Sequence, residues 1–583
     1  MNRLPTRAAV AALFGVVGAL AFPPVGWWPL AILSVAGFTV LVRGSRARDG
    51  AWIGLAFGAG LFLPMLHWTS TYVGAIPWLI LVFSQTWYLA LLGAVMPRLL
   101  RSRLAPMLAS SAWVAEEAVR GRFPFGGFPW GRWGFSQATS PLRWFAALGG
   151  APLVTFVVAM SGVLLAWAVT GPGLRWRVAG PLGAVALVGC GLILAVPLDP
   201  SGGQVTTIAA IQGSVPDRGL EFNARRRQVL DNHVAQTLAL AADIDAGRVS
   251  RPSLVLWPEN ASDIDPTDNP DAAAQIQKAT DAVGVPILVG ALLDGPGDHV
   301  TNAGIVWMPS SAAAPGPGER YVKRHPVPFG EYIPLRSVAR AITSKVNLVA
   351  RDMVAGHGNG LLTQTPYPVG DVICFEVAYD SLVRSSVQAG AKLLVIQTNN
   401  ATFGHSSETY QQLAMTRLRA VEHGRTVVQV ATSGKSAIIG PDGSVLQESG
   451  PLFTPDVMLQ TVRLRSATTL ATRAGASIEW TIVALAVLGF AAGSWPPKWR
   501  GRTRRSATQT EPQELNASAE RDERERVASR RNAVGAAERT AHAGDRSDVQ
   551  RDRESAAYPA AIVRGGAEGA LAHRRRWQPR RNG

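Results

Sequence analysis

The sequence predicts a multi-span α-helical membrane domain joined to a large α/β domain. Three observations lead to this prediction. Long apolar runs fill the first third of the 583 residues, and one further run follows near the end. Arginines recur in alternate loops between these runs. A more polar block lies before the last run, and in it short apolar segments alternate with polar helical patterns, which is typical of layered α/β domains.

Eight apolar runs are candidate membrane helices, because a spanning helix needs about 20 largely apolar residues. Several runs are shorter than that. We interpret the first run as a retained span rather than a signal peptide, since no small-residue cleavage site follows it. The runs are Ala8–Phe22, Trp27–Val42, Ala51–Trp68, Val73–Met96, Leu104–Val119, Leu148–Thr170, Val178–Leu198 and Ile478–Trp495.

The arginines between the runs predict the topology. Cytoplasmic loops are enriched in Lys and Arg, so we expect both termini in the cytoplasm and the α/β block outside it. Only the short loop Arg120–Arg143 departs from the alternation, because it carries several arginines of its own. The predicted domains are a bundle of about seven spans over 1–198, an extracytoplasmic catalytic domain over 199–477, a last span over 478–495 and a disordered, charged cytoplasmic tail over 496–583.

The formal net charge of +16 could indicate a nucleic-acid partner. Many of the arginines, however, lie in short loops between apolar runs or in the tail, where topology signals and solvated segments are found. We therefore expect no nucleic acid. His325 and His405 lack metal-ligand spacing around them, so we also expect no metal or cofactor.

The α/β block contains recognisable strands and helices. The predicted strands are Val205–Ile211, Ser253–Trp257, Pro286–Val289, Ile305–Met308, Asp371–Phe375, Leu393–Thr398 and Val427–Ala431. The predicted helices are Asn223–Ala246, Ala272–Val283, Ser381–Ala389 and Tyr410–His423. A turn at Pro441-Asp442-Gly443 joins two further short strands.

Three segments of this block bring a reactive group to or near the end of a predicted strand. Glu259 follows Ser253–Trp257, Lys323 follows an apolar Tyr-Val pair, and Cys374 lies near the end of Asp371–Phe375. Sites form where such side chains meet at the edge of a sheet. A thiol nucleophile needs a base and a cation that stabilises the oxyanion. Glutamate, lysine and cysteine can supply these roles.

Each of the three residues also has a structural interpretation. Glu259 could cap a turn with Asn260, and Lys323 could be a surface base beside Arg324. Cys374 could be an inert core thiol, since the other of the two cysteines lies in an apolar run and leaves it without a disulfide partner in this block. The residues alone leave these alternatives open.

The order Glu259, Lys323, Cys374 with its flanks resembles the carbon–nitrogen hydrolase (nitrilase) superfamily, and within it the apolipoprotein N-acyltransferase family. The resemblance extends over essentially Ala8 to Trp495 and leaves out the tail. The matching segments are Lys323–Pro334, Ile373–Glu376, Thr398–Gly404, Arg417–Arg425, Trp113–Gly121 and Phe128–Trp130.

The resemblance implies a nitrilase-like α-β-β-α sandwich and a cysteine acyltransferase. Glu259 would be the general base for Cys374, which would take an acyl group from a membrane phospholipid as a thioester. The amine of a diacylglyceryl-cysteine lipoprotein would accept it, while Lys323 stabilises the intermediates. Glu331 and Glu376 match further acidic positions and would orient Lys323 and the amine. The resemblance implies a monomer in the cell membrane, with a phospholipid donor and a diacylated lipoprotein acceptor as partners.

The chain departs from the family pattern at three places. Phe375 stands where tyrosine is usual, and Phe222 stands where tryptophan is expected. The usual Asn-Asp-x-Trp-Phe-Gly reads Asn-Asn-Ala-Thr-Phe-Gly from Asn399. We assign Phe222, Phe375, Asn399 and Phe403 to substrate access.

Two other functions compete with this one. In a membrane-anchored carbon–nitrogen hydrolase, water would take the acyl group, but one anchor would then suffice. A catalytically weak lipid-binding scaffold would fit the departures, but not the retention of Glu259, Lys323 and Cys374.

The end of the fifth run and the loop after it give two further predictions, an ion pair and an aromatic belt. Glu116 and Glu117 are costly in lipid, and Arg120 has the spacing of a helical ion-pair partner. The aromatic residues Phe128, Trp130 and Trp133 predict an interfacial belt.

Overall fold

The computed structural model describes residues 3–171, 173–194, 203–215 and 226–492. The predicted tail 496–583 and Phe222 lie outside these residues. Each predicted apolar run coincides with a helix over most of its described residues. The helices before the α/β block are α1 (Leu4–Ala19), α2 (Pro29–Val42), α3 (Ala47–Met65), α4 (Ser70–Val73), α5 (Ala75–Leu99), α6 (Ala105–Arg120), α7 (Ala146–Thr170) and α8 (Leu174–Leu194).

Three helical stretches among the described residues are long and apolar enough to cross a membrane: α5, Pro141–Thr170 and α8. Three shorter apolar helices accompany them: α1, α2 and Ser477–Ala492. A helical membrane domain is therefore confirmed, while the number of spans stays a prediction.

The α/β block begins with β1 (Val205–Gln212) and contains two six-stranded sheets among its described residues. The other strands are β2 (Leu254–Leu256), β3 (Ile287–Asp294), β4 (Val300–Met308), β5 (Gly316–Val322), β6 (Leu361–Leu362), β7 (Val369–Ile373), β8 (Leu393–Thr398), β9 (Thr426–Ala431), β10 (Ala437–Ile439), β11 (Val445–Glu448) and β12 (Asp456–Arg463). The remaining helices are α9 (Arg226–Asp245), α10 (Pro270–Val283), α11 (Arg336–Ile342), α12 (Asp380–Gln388), α13 (Glu408–His423), α14 (Leu470–Ala474) and α15 (Ser477–Ala492).

The two sheets pack face to face with helices outside them. Their strand orders are β12-β1-β2-β3-β4-β5 and β11-β10-β9-β8-β7-β6. Apolar side chains such as Ile208, Leu254 and Val395 fill the space between the sheets. Helices α9 and α10 cover the first sheet, and α12 and α13 cover the second. This arrangement confirms the α-β-β-α sandwich.

The apolar core of the helical part continues into the outer layer of the sandwich. Phe57 and Trp113 belong to the same buried cluster as Phe375 and Leu418. Helix α13 packs on α7 on one side and on the second sheet on the other, and Asp380 at the start of α12 contacts Arg132 of the loop after α6.

Several elements were not predicted, and three of them show the reason. Strand β5 carries Gly-Pro-Gly-Glu-Arg and lies at the edge of its sheet, so its apolar signal is weak. Strand β12 is only half-buried, so its sequence lacks a continuous apolar run, although it pairs with β1 over eight residues. Helix α11 has no buried residue, and therefore its sequence lacks an apolar face pointing to a core.

The ion pair predicted at the end of α6 is confirmed. Arg120 Nε lies 2.7 Å from Glu116 Oε1, and both side chains are buried. The same guanidinium donates to the carbonyl oxygens of Phe128 at 3.2 Å and Trp130 at 2.6 Å. Arg120 thereby holds the following loop back against its own helix.

Two other arginines after α6 are also ion-paired. Arg132 contacts Glu117 at 3.4 Å and Asp380 at 2.9 Å, and Arg122 contacts Glu479 at 2.5 Å. Because these charges are neutralised within the protein, they are poor topology signals. Their pairing explains why this loop departs from the alternation of arginines along the chain.

The prediction of an interfacial aromatic belt is wrong for Trp130 and Trp133. Both are only 2% exposed. Trp133 packs on Phe22 and Trp113 with ring centroids 5.9 Å apart in each case. These aromatic side chains are buried because the loop folds inward against the helices. The composition of the loop alone does not distinguish this arrangement from an interfacial belt.

Candidate active site

Glu259 lies three residues past the end of the apolar strand β2, in a loop that the sandwich encloses. Its Oε1 accepts hydrogen bonds from Lys323 Nζ at 2.9 Å and from Asn302 Nδ2 at 2.7 Å. Its Oε2 accepts one from the backbone N–H of Asn399 at 2.8 Å. These donors fix both carboxylate oxygens in a buried position.

Lys323 directly follows β5, where its backbone N–H donates to Asn302 O at 2.8 Å. Its ammonium lies between Glu259 and Glu331, whose Oε1 is 2.6 Å away. Burial alone would lower the pKa of Lys323, but the two carboxylates outweigh it and raise the pKa well above its ordinary value. Lys323 is therefore a permanent positive charge in the site.

Glu331 is held from two sides. Besides its contact with Lys323, its Oε2 accepts a hydrogen bond from the backbone N–H of Val327 at 2.8 Å. Burial raises the pKa of Glu331, although the Lys323 ammonium opposes this. The carboxyl group is thus in place to orient Lys323.

Cys374 does not lie within a strand. Strand β7 ends at Ile373, and a 3-10 helix begins at Cys374 itself. The backbone φ of Cys374 is +55°, a left-handed conformation that costs energy for a residue with a Cβ. The predicted strand Asp371–Phe375 is therefore two residues too long at this end. Strained backbone of this kind is concentrated at functional sites.

The Cys374 thiol is protonated at rest. Burial raises the pKa of this thiol, the charge of Glu259 raises it further, and the charge of Lys323 opposes both. The thiolate must therefore form as the reaction proceeds, with a base in the same site. Glu259 is the acid whose charge acts most strongly on this thiol.

Two side chains from the second sheet and its helix contact the sulfur. Thr398 Oγ1, at the end of β8, lies 3.4 Å from Cys374 Sγ. Gln412 Nε2, on α13, lies 3.7 Å from it. The Gln412 amide can donate to a thiolate, whereas the single hydroxyl proton of Thr398 goes either to the sulfur or to Gln412 Oε1 at 2.9 Å. Sequence patterns did not select either residue, because Thr398 ends an apolar strand and Gln412 is one of several polar residues along a helix.

Glu376 accepts its hydrogen bonds mainly from backbone N–H groups. Its carboxylate accepts backbone N–H bonds from Ile373 at 2.9 Å, Arg324 at 2.7 Å and His325 at 3.1 Å. The Tyr321 hydroxyl donates to it at 2.9 Å. Among the described residues its hydrogen bonds thus tie the Cys374 turn to the segment after Lys323. Glu376 holds the backbone of the site, and Glu331 is the acid that contacts Lys323.

Phe375 belongs to a packed aromatic group that joins the two parts of the protein. Its ring stacks on Trp130 at 5.6 Å with an interplanar angle of 6°, and on Phe128 at 5.7 Å. Tyr379 meets it edge-on at 5.6 Å. Because Phe375 is buried, its contribution in this structure is to hold the nucleophile turn against the loop after α6.

The other residues assigned to substrate access lie in two places. Asn399 is next to Glu259, as described, and its side-chain Nδ2 donates to Asn260 Oδ1 at 3.3 Å. Phe403 is half-buried, and its ring meets Trp68 edge-on at 4.9 Å. Phe222 lies outside the described residues.

Asn302 was missed by the sequence analysis although it contacts Glu259. It occupies the buried strand β4, where its neighbours are apolar. A polar amide in such a strand needs a hydrogen-bond partner. A polar amide within an apolar strand was the signal that the sequence offered, but its partner, Glu259, is 43 residues away in sequence.

Both halves of the chain match known families. A model of the apolipoprotein N-acyltransferase N-terminal domain matches residues 14–164, and a carbon-nitrogen hydrolase model matches residues 185–472. The chain is 40% identical to an apolipoprotein N-acyltransferase of Mycolicibacterium smegmatis over 503 residues, or 82% of this chain and 83% of that protein. It is 33% identical to one of Ralstonia nicotianae over 486 residues, or 78% of this chain and 87% of that protein.

Proposed function

The chain belongs to the apolipoprotein N-acyltransferase family, and we propose on this basis that it moves a fatty acyl group from a membrane phospholipid to the N-terminal amine of diacylglyceryl-cysteine lipoproteins. The acyl group waits between the two substrates as a thioester on Cys374. The observation that carries this proposal is the strained Cys374 turn beside the buried Glu259–Lys323 pair.

In the first half-reaction, the Cys374 thiol gives its proton to Glu259 and the sulfur attacks the ester carbonyl of the phospholipid. The oxyanion that forms is stabilised by the Lys323 ammonium, since a fixed charge in a buried site needs no reorganisation during the reaction. Collapse breaks the carbon–oxygen bond. The leaving lysophospholipid alkoxide takes the proton back from Glu259.

In the second half-reaction, the lipoprotein amine attacks the thioester carbonyl. Glu259 accepts a proton from the amine as the new carbon–nitrogen bond forms. The carbon–sulfur bond then breaks, and the Cys374 thiolate recovers the proton. A thioester suits this sequence because an amine attacks it more readily than it attacks the original ester.

The packing of the site on the membrane helices supports a lipid substrate. Phe375 follows the nucleophile directly and stacks on Trp130 of the loop after α6. Phe403 packs on Trp68, just after α3. Both contacts hold the Cys374 region next to the helical part, where two lipid substrates could arrive laterally.

The proposal includes the location of the site. We expect a multi-pass protein of the cell membrane with the catalytic domain outside the cytoplasm and both termini inside, as the arginine pattern predicts. The proposed domains keep the bounds 1–198, 199–477, 478–495 and 496–583, and the enzyme acts as a monomer.

The test is N-acylation of a synthetic diacylated lipopeptide by purified protein in phospholipid-containing micelles, followed by mass spectrometry. We expect one added acyl chain on the free amine, and none on a matched lipopeptide whose amine is acetylated. The variant Cys374→Ser should form no product. Release of free fatty acid at the same rate with either peptide would support a hydrolase instead. Phospholipid binding without turnover would support a lipid-binding scaffold.

A further inference from the structure

A connected row of buried polar side chains runs from the nucleophile into α13. The mechanism above assigns no role to the residues of this row that are farthest from the sulfur. The row consists of Thr398, Gln412, Asn400 and Glu408, none of which is more than 2% exposed. Water therefore has little access to satisfy or reorient these groups. These four side chains must therefore satisfy most of their hydrogen-bonding groups with one another.

The position of Glu408 is notable because of what stands at residue 400. Residue 400 is Asn400 in this chain, an amide that cannot itself supply a carboxylate to the site. In the structure Asn400 Nδ2 donates to Glu408 Oε2 at 2.7 Å. A carboxyl group is therefore present next to residue 400, although it comes from a different element.

Hydrogen bonds fix the orientation of the Asn400 amide. Its Nδ2 donates both to Glu408 Oε2 and to Gln412 Oε1, the latter at 3.0 Å. Its Oδ1 accepts from Thr409 Oγ1 at 3.4 Å. A carboxyl oxygen at this point favours the amide nitrogen over the amide oxygen, so Glu408 sets which end of Asn400 faces α13.

Asn400 in turn fixes the Gln412 amide. Gln412 Oε1 accepts from Asn400 Nδ2 at 3.0 Å and from Thr398 Oγ1 at 2.9 Å. Its Nε2 is then left to face Cys374 Sγ. If the Gln412 amide were reversed, its N–H groups would face the N–H groups of Asn400. Its oxygen would then face the Cys374 thiolate.

We propose that Glu408 and Asn400 are positioning residues, which hold the Gln412 side chain with its N–H toward the Cys374 sulfur and so favour the thiolate. This inference rests on the proposed function, in which Cys374 is the nucleophile.

The electrostatics of Glu408 agree with this role. Burial raises the pKa of Glu408 to about 8, with the hydrogen bond from Asn400 lowering it and the charge of Glu259 raising it. The hydrogen bond from Asn400 Nδ2 favours the charged form of this carboxyl group, and burial opposes it. In either protonation state one carboxyl oxygen is available to accept from Asn400.

Three variants of the full-length protein in detergent test the proposal. Asn400→Asp is isosteric but replaces the donor by an acceptor, and Glu408→Leu removes the acceptor. Glu408→Gln keeps an oxygen acceptor and is the matched control. Two rates are measured near neutral pH: alkylation of Cys374 by iodoacetamide, and thioester formation from a labelled phospholipid. Each variant's melting temperature is recorded as well.

We expect Asn400→Asp and Glu408→Leu to lose about tenfold or more in both rates, which corresponds to roughly 1.4 kcal/mol in the barrier. Glu408→Gln should stay within about threefold of wild type. The KM for the lipopeptide acceptor should not change, because the proposal assigns these side chains to the sulfur and not to the amine.

Two results would overturn the inference: wild-type rates in Asn400→Asp, or an equal loss in Glu408→Gln and Glu408→Leu. If Glu408→Leu fails to fold, the comparison of the two isosteric variants decides alone. Absence of a thioester in the wild-type protein would count against the proposed function, whereas the alkylation rates would still test the orientation of Gln412.

Discussion

Lys323 Nζ lies 2.9 Å from Glu259 Oε1, and the two side chains are 1% and 3% exposed. Removing one member of a buried ion pair usually leaves an uncompensated charge, which destabilises a protein by about 3–5 kcal/mol. Here Glu331 also contacts Lys323 at 2.6 Å, so the ammonium stays compensated when Glu259 is neutralised. The chemistry of Glu259 can therefore be separated from its contribution to stability.

Glu259→Gln should reduce the rate of thioester formation by about 10²–10⁴-fold, the usual contribution of a general base. The melting temperature should fall only moderately, because the substituted amide still presents an oxygen to Asn302 Nδ2 and Glu331 still pairs with Lys323, while the hydrogen bond from the Asn399 backbone N–H is lost. Single-turnover acylation with a labelled phospholipid measures the rate. Glu331→Gln serves as the control and should lose less activity. An equal loss in both variants would contradict the assignment of the base.

The stacking of Phe375 on Trp130 should couple the membrane helices to the nucleophile. A double-mutant cycle with Phe375→Leu and Trp130→Leu should give an interaction free energy of about 0.5–1.5 kcal/mol in thermal or denaturant unfolding. Each single variant should also slow alkylation of Cys374, since the turn that carries the thiol loses its support. Strict additivity of the two substitutions would show that the rings do not support each other.

Asp380 should be essential for the packing of the sandwich on the helical part. Its carboxylate contacts Arg132 at 2.9 Å and Arg419 at 2.7 Å. Asp380→Asn removes the carboxylate that the two buried guanidinium groups share, while Arg132 keeps Glu117 and Arg419 keeps Glu422 as partners. The substitution should therefore cost about 1.5–3 kcal/mol of unfolding free energy, as expected for buried hydrogen bonds to a charged group. Asp231→Asn is the control, because the Asp231–Arg227 pair is exposed and should contribute less than about 1 kcal/mol. The melting temperatures in detergent give the comparison.

His233 should make the protein less stable in mild acid. Burial lowers the pKa of His233 from its ordinary value near 6.5 to about 4, although a hydrogen bond to Val229 O opposes this. Between these two pH values the unfolded chain binds a proton that the folded protein does not, so the unfolding free energy falls as the pH falls. The slope approaches roughly 1.4 kcal/mol per pH unit.

The variant His233→Asn isolates this effect, because its amide can still donate to Val229 O. Its melting temperature should fall less steeply than that of the wild type between pH 6.5 and pH 4. Parallel curves for the two proteins would mean that His233 does not titrate in this window.

Local patterns predicted the architecture well where burial is continuous along the chain. Strand β8 was predicted at its observed bounds, since all six of its residues are buried. Strand β5 and helix α11 were not predicted, because β5 has only two buried residues of seven and α11 has none. Glu259, Lys323 and Cys374 could be selected only because the resemblance to a family joined three residues that each had a plain structural interpretation.

The rest of the site depends on contacts between distant segments. Thr398 and Gln412 are 24 and 38 residues from the sulfur that they contact, and Trp130 lies in a different domain of the sequence from Phe375. The sign of φ at Cys374 follows from the abrupt change from β7 to a 3-10 helix. No period or composition in the sequence encodes these relationships.

The central claim is that Cys374 carries the acyl group between the two substrates. The most direct measurement is the intact mass of the purified protein after incubation with a phospholipid of defined acyl chains, followed by a chase with a diacylated lipopeptide. We predict a mass increase of one acyl chain that is located on Cys374, is removed by neutral hydroxylamine and disappears as N-acylated lipopeptide forms. An acyl adduct that persists in Cys374→Ser, or lipopeptide acylation by that variant at the wild-type rate, would contradict the account.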